Sequence, residues 1–147
     1  DALRRGWEAT LPDIAHADRI SAGNYGWTTS DLTEKRFPVT EDQLGEWEWK
    51  LFHFDRSISS EEAIRLMKED GYEAGQIGHI LTFGEINPEE QRKYPIIGLG
   101  SVARVDLVRN VPVLWLGDGQ RRLGLHWFDS DWGARYRFLG VRRRSVA

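Results

Sequence analysis

VPVLWLGDGQRRLGLHWF, residues 111–128, decides the fold class. Two runs rich in β-branched and aromatic residues, Val111 to Leu116 and Arg121 to Phe128, flank Gly117-Asp118-Gly119. An Asp-Gly pair between such runs marks a two-residue hairpin. Similar runs lie on either side: Ile96 to Leu107 before it and Arg135 to Arg142 after it, parted by Asn110 and by Asp129-Ser-Asp-Trp-Gly133. The last third therefore reads as an antiparallel β-meander.

Upstream of Pro95 the period changes to that of a helix. Ser59 with Glu62 three residues on forms a capping box, Ile64, Leu66 and Met67 give an apolar stripe, and Gly71 stands where a helix stops, which predicts a helix over 60–70. Ile77, Ile80 and Leu81 predict a second one over about 73–83, weakened by Gly75 and Gly78 and ended by Gly84. Asn87-Pro88 reads as an N-cap and N1 proline opening one short turn. Between Glu46 and Phe54 the sequence alternates instead, with Trp47, Trp49, Leu51 and His53 on one face of a strand. Leu3, Trp7 and Leu11 at spacing four suggest a helix that Pro12 ends, and residues 21–30 read as a loop whose Gly23-Asn24 and Gly26 supply left-handed positions.

Composition bounds the function. The chain has 147 residues, 40% hydrophobic, with no cysteine, so disulfides, thiolate metal sites and thiol catalysis are excluded. No run approaches the 18 or so apolar residues of a membrane span. Asp1 is followed by no basic and apolar leader, so no signal peptide is expected and a cytoplasmic location is the default expectation. Seven tryptophans are many for this length, and the charge is divided: residues 1–95 carry 11 basic against 19 acidic side chains, whereas residues 96–147 carry nine arginines against four aspartates. The positive end points toward an acidic partner.

Several motifs carry residue types that do chemistry. Gly98-Leu-Gly100-Ser-Val-Ala103 matches a dinucleotide fingerprint, but Pro112 follows too soon for a βαβ unit, so it reads as a glycine-relieved strand against which another element packs. Asp129-Ser-Asp131-Trp-Gly133 has the start of a calcium loop without its later ligands and reads as an acidic turn. His53 with Asp55, and His126 with Asp129, are candidate acid–base or metal pairs. The two helices about Gly71 outline a helix-turn-helix whose second member offers no Lys or Arg to DNA. In the C-terminal third, Arg121, Arg122, Arg135, Arg137 and Arg142 to Arg144 interleave with Trp127, Phe128, Trp132, Tyr136 and Phe138. That mixture suits a single nucleic-acid strand, but the alternation of Arg135 and Arg137 with Tyr136 and Phe138 favours a half-buried strand with an arginine outer face.

From about Phe52 through Arg142 four motifs follow one another: Phe54-Asp-Arg-Ser-Ile-Ser-Ser-Glu-Glu-Ala63, Asp70-Gly71-Tyr72, Tyr94-Pro-Ile-Ile-Gly-Leu-Gly-Ser101 and Arg137-Phe-Leu-Gly-Val-Arg142. In this order the chain resembles a family of uncharacterised small bacterial proteins with no assigned function, over roughly 90 residues. The resemblance implies a bacterial cytosolic source and assigns no activity. Near His79 the chain has His-Ile-Leu-Thr-Phe-Gly where that family carries Glu-Leu-Leu-Ala-Phe-Gly.

The expected architecture is one α+β domain over residues 1–147: an N-terminal irregular segment with a strand, a helical pair, and a C-terminal antiparallel β-meander. The expected function is non-enzymatic binding through a Trp- and Arg-rich surface of that sheet, carried by Arg122, Trp127, Trp132, Arg135, Tyr136 and Arg137, with no cofactor or metal and no membrane. Three alternatives stand beside it: a small hydrolase or metal-dependent enzyme around His53, Asp55, His126 and Asp129, a C-type-lectin-like scaffold, and a single-stranded nucleic-acid binder.

Overall fold

The structure, a computed structural model, describes residues 7–144. Its elements are β1 (Glu8–Leu11), α1 (His16–Ala22), β2 (Trp27–Thr28), β3 (Gly45–Phe52), β4 (Ile58–Ser59), α2 (Ser60–Glu69), β5 (Glu73–Ala74), α3 (Ile77–Ile86), β6 (Ile96–Ile97), β7 (Ala103–Val105), β8 (Val108–Gly117), β9 (Gln120–Trp127), β10 (Asp131–Trp132) and β11 (Arg137–Arg143). Among the described residues, nine strands form one mixed sheet in the order β1-β3-β11-β6-β8-β9-β2, with β5 also on β11 and β7 also on β8, while β4 and β10 pair apart. The α+β class read from the sequence is the class observed.

The Asp118-Gly119 hairpin forms as read: both residues have positive φ, 51° and 75°, as a type I′ turn requires, and Gly117 pairs with Gln120. A second turn of this kind, at Asp106 and Leu107 (φ 52° and 68°), joins β7 to β8. The expected run Ile96 to Leu107 is itself interrupted at residues 98–102, which part β6 from β7. The last strand does not continue the meander. β11 crosses to lie between β3, antiparallel, and β6, parallel. Phe138, Leu139 and Val141 are all buried there, on both faces, which only an interior strand can provide.

Helix α2 matches expectation: Ser59 Oγ accepts from the Glu62 N–H at 3.1 Å, and Gly71 adopts φ 85° beyond its end. The second helix starts later than expected, at Ile77, because Glu73 and Ala74 are drawn into β5 against Val141 and Gly140. α3 is buried from Ile77 through Gly84, so it is a core helix and no DNA reader. Asn87 ends α3, and the short turn after it is a 3-10 turn at Glu90–Arg92.

The N-terminal helix expected over Leu3 to Leu11 is corrected. Leu3 lies outside the described residues, and Glu8–Leu11 is a strand antiparallel to β3. Trp7, Ala9 and Leu11 recur at period two, and all three pack on the core beneath α3. The loop 21–30 contains β2, which runs parallel to β9, and its left-handed residue is Asn24 (φ 51°), not a glycine.

The sheet separates two apolar clusters. Ile77, Ile80, Leu81 and Phe83 of α3 meet Trp47, Trp49, Leu114 and Leu123 on one face. On the other, Ala63 and Met67 of α2 meet Phe52, Val111, Val113, Trp132 and Phe138.

Candidate functional site: a groove on the open face of β8 and β9

The hairpin fixes the site. Its register sets Val111 opposite His126, Val113 opposite Gly124 and Trp115 opposite Arg122, on one sheet face. The α2 cluster buries Val111 and Val113, while Trp115 and Tyr136 pack at its margin and stay only partly buried. What remains is a groove of about 520 Å³, lined among others by Trp27, Val113, Trp115, Gly124, His126 and Tyr136.

Gly124 is its floor. A Cβ there would stand 3.1 Å from Trp115 Nε1 and 3.6 Å from Trp27 Cζ3, so the two indoles flank the space that a side chain would fill. Trp27 reaches this place because β2 aligns it with Arg122. The Arg122 guanidinium lies 5.7 Å from the Trp27 ring and 5.2 Å from the Trp115 ring, tethered to Gly117 O and Asp118 Oδ2, each at 3.2 Å. It holds both indoles by cation–π attraction. The opposite wall is aromatic too, since Tyr136 packs edge-on against buried Trp132 at 5.1 Å and His126 lies 4.6 Å from Trp132.

Charge at the rim is asymmetric. Asp31 is paired with Arg36 at 3.1 Å. Arg135 is exposed, lies 5.5 Å from the Tyr136 ring and meets no carboxylate among the described residues. The groove therefore combines a flat apolar floor with one uncommitted guanidinium.

The expected surface residues divide. Arg135 and Tyr136 line the groove, and Arg122 braces its tryptophans. Trp132 is corrected from surface to core: it is fully buried, and its Nε1 donates to Ser60 Oγ at 2.8 Å, which in turn donates to Phe128 O. Trp127 is 61% exposed but alternates to the far face of β9. Arg137 lies over the Tyr94 ring at 4.2 Å and lines a neighbouring hollow of about 340 Å³ with His53 and Asp55.

The candidate catalytic groups are not brought together. His53 Nε2 donates to Ala134 O at 2.8 Å and stands 3.8 Å from Asp55, in that neighbouring hollow. His126 faces the groove, and Asp129 is held by Arg109 through two hydrogen bonds. Among the described residues no group of three or more His, Asp or Glu could hold a metal ion. The fingerprint glycines serve packing: Gly100 donates to Gly75 O at 2.8 Å, and Ser101 Oγ accepts from Ile77 N–H at the start of α3.

Sequence reasoning missed Trp27, Trp115 and Gly124. The signal for two of them was present, since a two-residue turn at Asp118-Gly119 dictates that Trp115 faces Arg122 and Val113 faces Gly124. Trp27 carries no such signal, because its pairing with β9 spans 95 positions. No family model, no curated protein and no solved structure matches the chain. No helix among the described residues is long and apolar enough to cross a membrane.

Proposed function

We propose that the chain is a non-enzymatic binding domain whose ligand presents a flat apolar face to the β8–β9 groove and an acidic group to its rim. One observation carries this reading: Trp27 and Trp115 flank a floor that bears no side chain, at Gly124, with the unpaired Arg135 beside it. Rigid aromatics offer large contact area at small entropic cost, and a lone guanidinium at the edge of an apolar groove selects a carboxylate or phosphate.

Indole-3-acetate, a ring bearing one carboxylate, is a minimal probe. Titration followed by the indole N–H resonances of Trp27 and Trp115 is expected to give saturable shifts with a dissociation constant on the order of millimolar, as suits so small a ligand. Arg135→Gln is expected to weaken indole-3-acetate and leave neutral 3-methylindole unaffected. Shifts that stay linear, or that spare both tryptophans, overturn the reading.

A further inference from the structure

The groove opens on a strand edge that is only partly covered. Antiparallel strands alternate between residues that turn their main-chain groups to the partner and residues that turn them away. The phase in β9 is fixed at both ends: Phe128 N–H donates to Arg109 O at 2.9 Å, across to β8, whereas Arg121 O and Leu123 O accept from Gly26 N–H and Thr29 N–H on the outer side. Leu125, two residues on, therefore turns its N–H and C=O to that same outer side. β2 has ended at Thr28 by then, and Leu125 finds no main-chain partner there among the described residues. Leu125 is itself part of the groove lining, with Thr29 and Asp31 where the chain peels away.

Resting on the binding reading above, we infer that the ligand is an extended acidic peptide that adds to β9 where β2 leaves off. Its central residue pairs with Leu125, donating to Leu125 O and accepting from Leu125 N–H. The residues on either side of it then face the same way as Gly124 and His126. Thr29, whose N–H donates to Leu123 O, already stands beside Gly124, so the residue on that side rises over the open face, where its side chain lies above Gly124 between Trp27 and Trp115 and suits a flat apolar group. The other lies by His126 and Tyr136, toward Arg135, and suits Asp or Glu. The peptide so defined has an apolar and an acidic residue two positions apart. A nucleic-acid strand shares the ring and the anion with such a peptide, but it lacks the repeating main-chain donor and acceptor that the free edge at Leu125 calls for.

A pool of acetylated and amidated hexapeptides, threonine throughout except for two randomised positions two apart, tests this on the immobilised full chain. Expected is enrichment of an aromatic or aliphatic residue at one position and Asp or Glu at the other, with the best member binding at least tenfold tighter than indole-3-acetate. Methylating the main-chain nitrogen between those positions is expected to cost tenfold or more, and the Leu125 amide is expected to exchange its hydrogen more slowly in the complex. If indole-3-acetate still shifts Trp27 and Trp115 but no peptide is enriched, or the methylated peptide binds as well as its parent, the peptide inference falls and the groove stands. If neither probe binds, both fall. Tighter, salt-sensitive binding of an eight-residue oligothymidylate than of any enriched peptide also overturns the inference, in favour of a nucleic-acid strand.

Discussion

The two faces of the β8–β9 hairpin are built from adjacent residues and treated in opposite ways. On the face beneath α3, Leu114 and Leu123 are fully buried and the one cation, Arg121, is committed: it donates to Gly23 O at 2.6 Å and to Gly84 O at 2.7 Å and lies 4.8 Å from the Tyr25 ring. On the other face Trp115 and Arg122 are half-buried, and Arg135 at the rim has no acidic partner among the described residues. One face commits its cation to holding the chain together; on the other, Arg122 is tethered within the hairpin but Arg135 at the rim stays unpaired. Stability belongs to the covered face and binding to the open one.

The largest effect is expected at Arg121. Its guanidinium joins β9 to the loop after α1 and to α3, and Arg121→Leu would leave the Gly23 and Gly84 carbonyls buried without donors, at about 1–3 kcal/mol each. A drop in unfolding free energy of about 3 kcal/mol or more is expected in urea, while the folded fraction still binds the groove probe. Tyr25→Phe is the control: the Tyr25 hydroxyl is buried without a partner, so its removal is expected to change stability by less than about 1 kcal/mol. A small effect at Arg121 would break the contrast between the faces.

Next comes His79, in the helix that covers the same face. Its Nδ1 accepts from Gln76 N–H at 2.9 Å, Trp47 packs edge-on at 4.4 Å, and Asp42 and Arg143 are the charged groups that act on it. Burial, with help from Arg143, lowers its pKa from 6.5 to about 3. The folded protein therefore keeps this ring neutral where the unfolded chain would protonate it. The stability it contributes is complete above pH 6.5 and is lost as the pH falls toward 3, at up to about 1.4 kcal/mol per unit. His79→Asn keeps an acceptor for Gln76 N–H and cannot titrate in this range. Between pH 6.5 and 4.5 the wild type is expected to lose about 2 kcal/mol more than this variant in urea unfolding, from a higher starting stability. Equal slopes would mean that His79 reaches solvent.

A smaller loss is expected at the start of α2. Only half of the capping box read from Ser59 and Glu62 forms, because the Glu62 carboxylate is engaged by Arg65. The cap therefore rests on Ser59 Oγ alone, and Ser59→Ala is expected to cost about 1 kcal/mol in the denaturant midpoint, with no change in binding.

What was legible follows the range of the interactions. The Ser59 half of the α2 cap, the turn at Gly71 and the I′ hairpin are set by neighbours within a few residues, and each is legible with its residues in place. The partners of β11 were not, since Phe52 and Ile97 lie 86 and 41 positions away, and a run of apolar residues does not say which strands will bury both its faces. Trp7, Ala9 and Leu11 carried both a period of four and a period of two, and the edge of β3 decided between them. In the groove, Arg135 and Tyr136 were legible as types, an arginine beside an aromatic. Trp132 looked the same in sequence but is drawn into the core by its hydrogen bond to Ser60, 72 positions away.

The smallest effect on stability is expected where the effect on binding is greatest. At Gly124 an alanine gains about 0.5–1 kcal/mol from reduced backbone entropy in the unfolded chain, and its Cβ meets Trp115 Nε1 at a tight 3.1 Å, a contact whose strain is of similar size and opposite sign. Gly124→Ala is therefore expected to leave the urea midpoint within about 0.5 kcal/mol of the wild type. Its methyl group stands where the ligand's flat face would lie, so affinity for indole-3-acetate is expected to fall tenfold or more. Gly84→Ala, on the covered side, reverses the pattern: its Cβ would strike the buried Tyr25 hydroxyl, and a loss of about 1–3 kcal/mol with binding retained is expected. If Gly124→Ala instead destabilised the fold as Gly84→Ala does, the missing side chain would be a demand of packing on both faces, and the open face would have no floor reserved for a ligand.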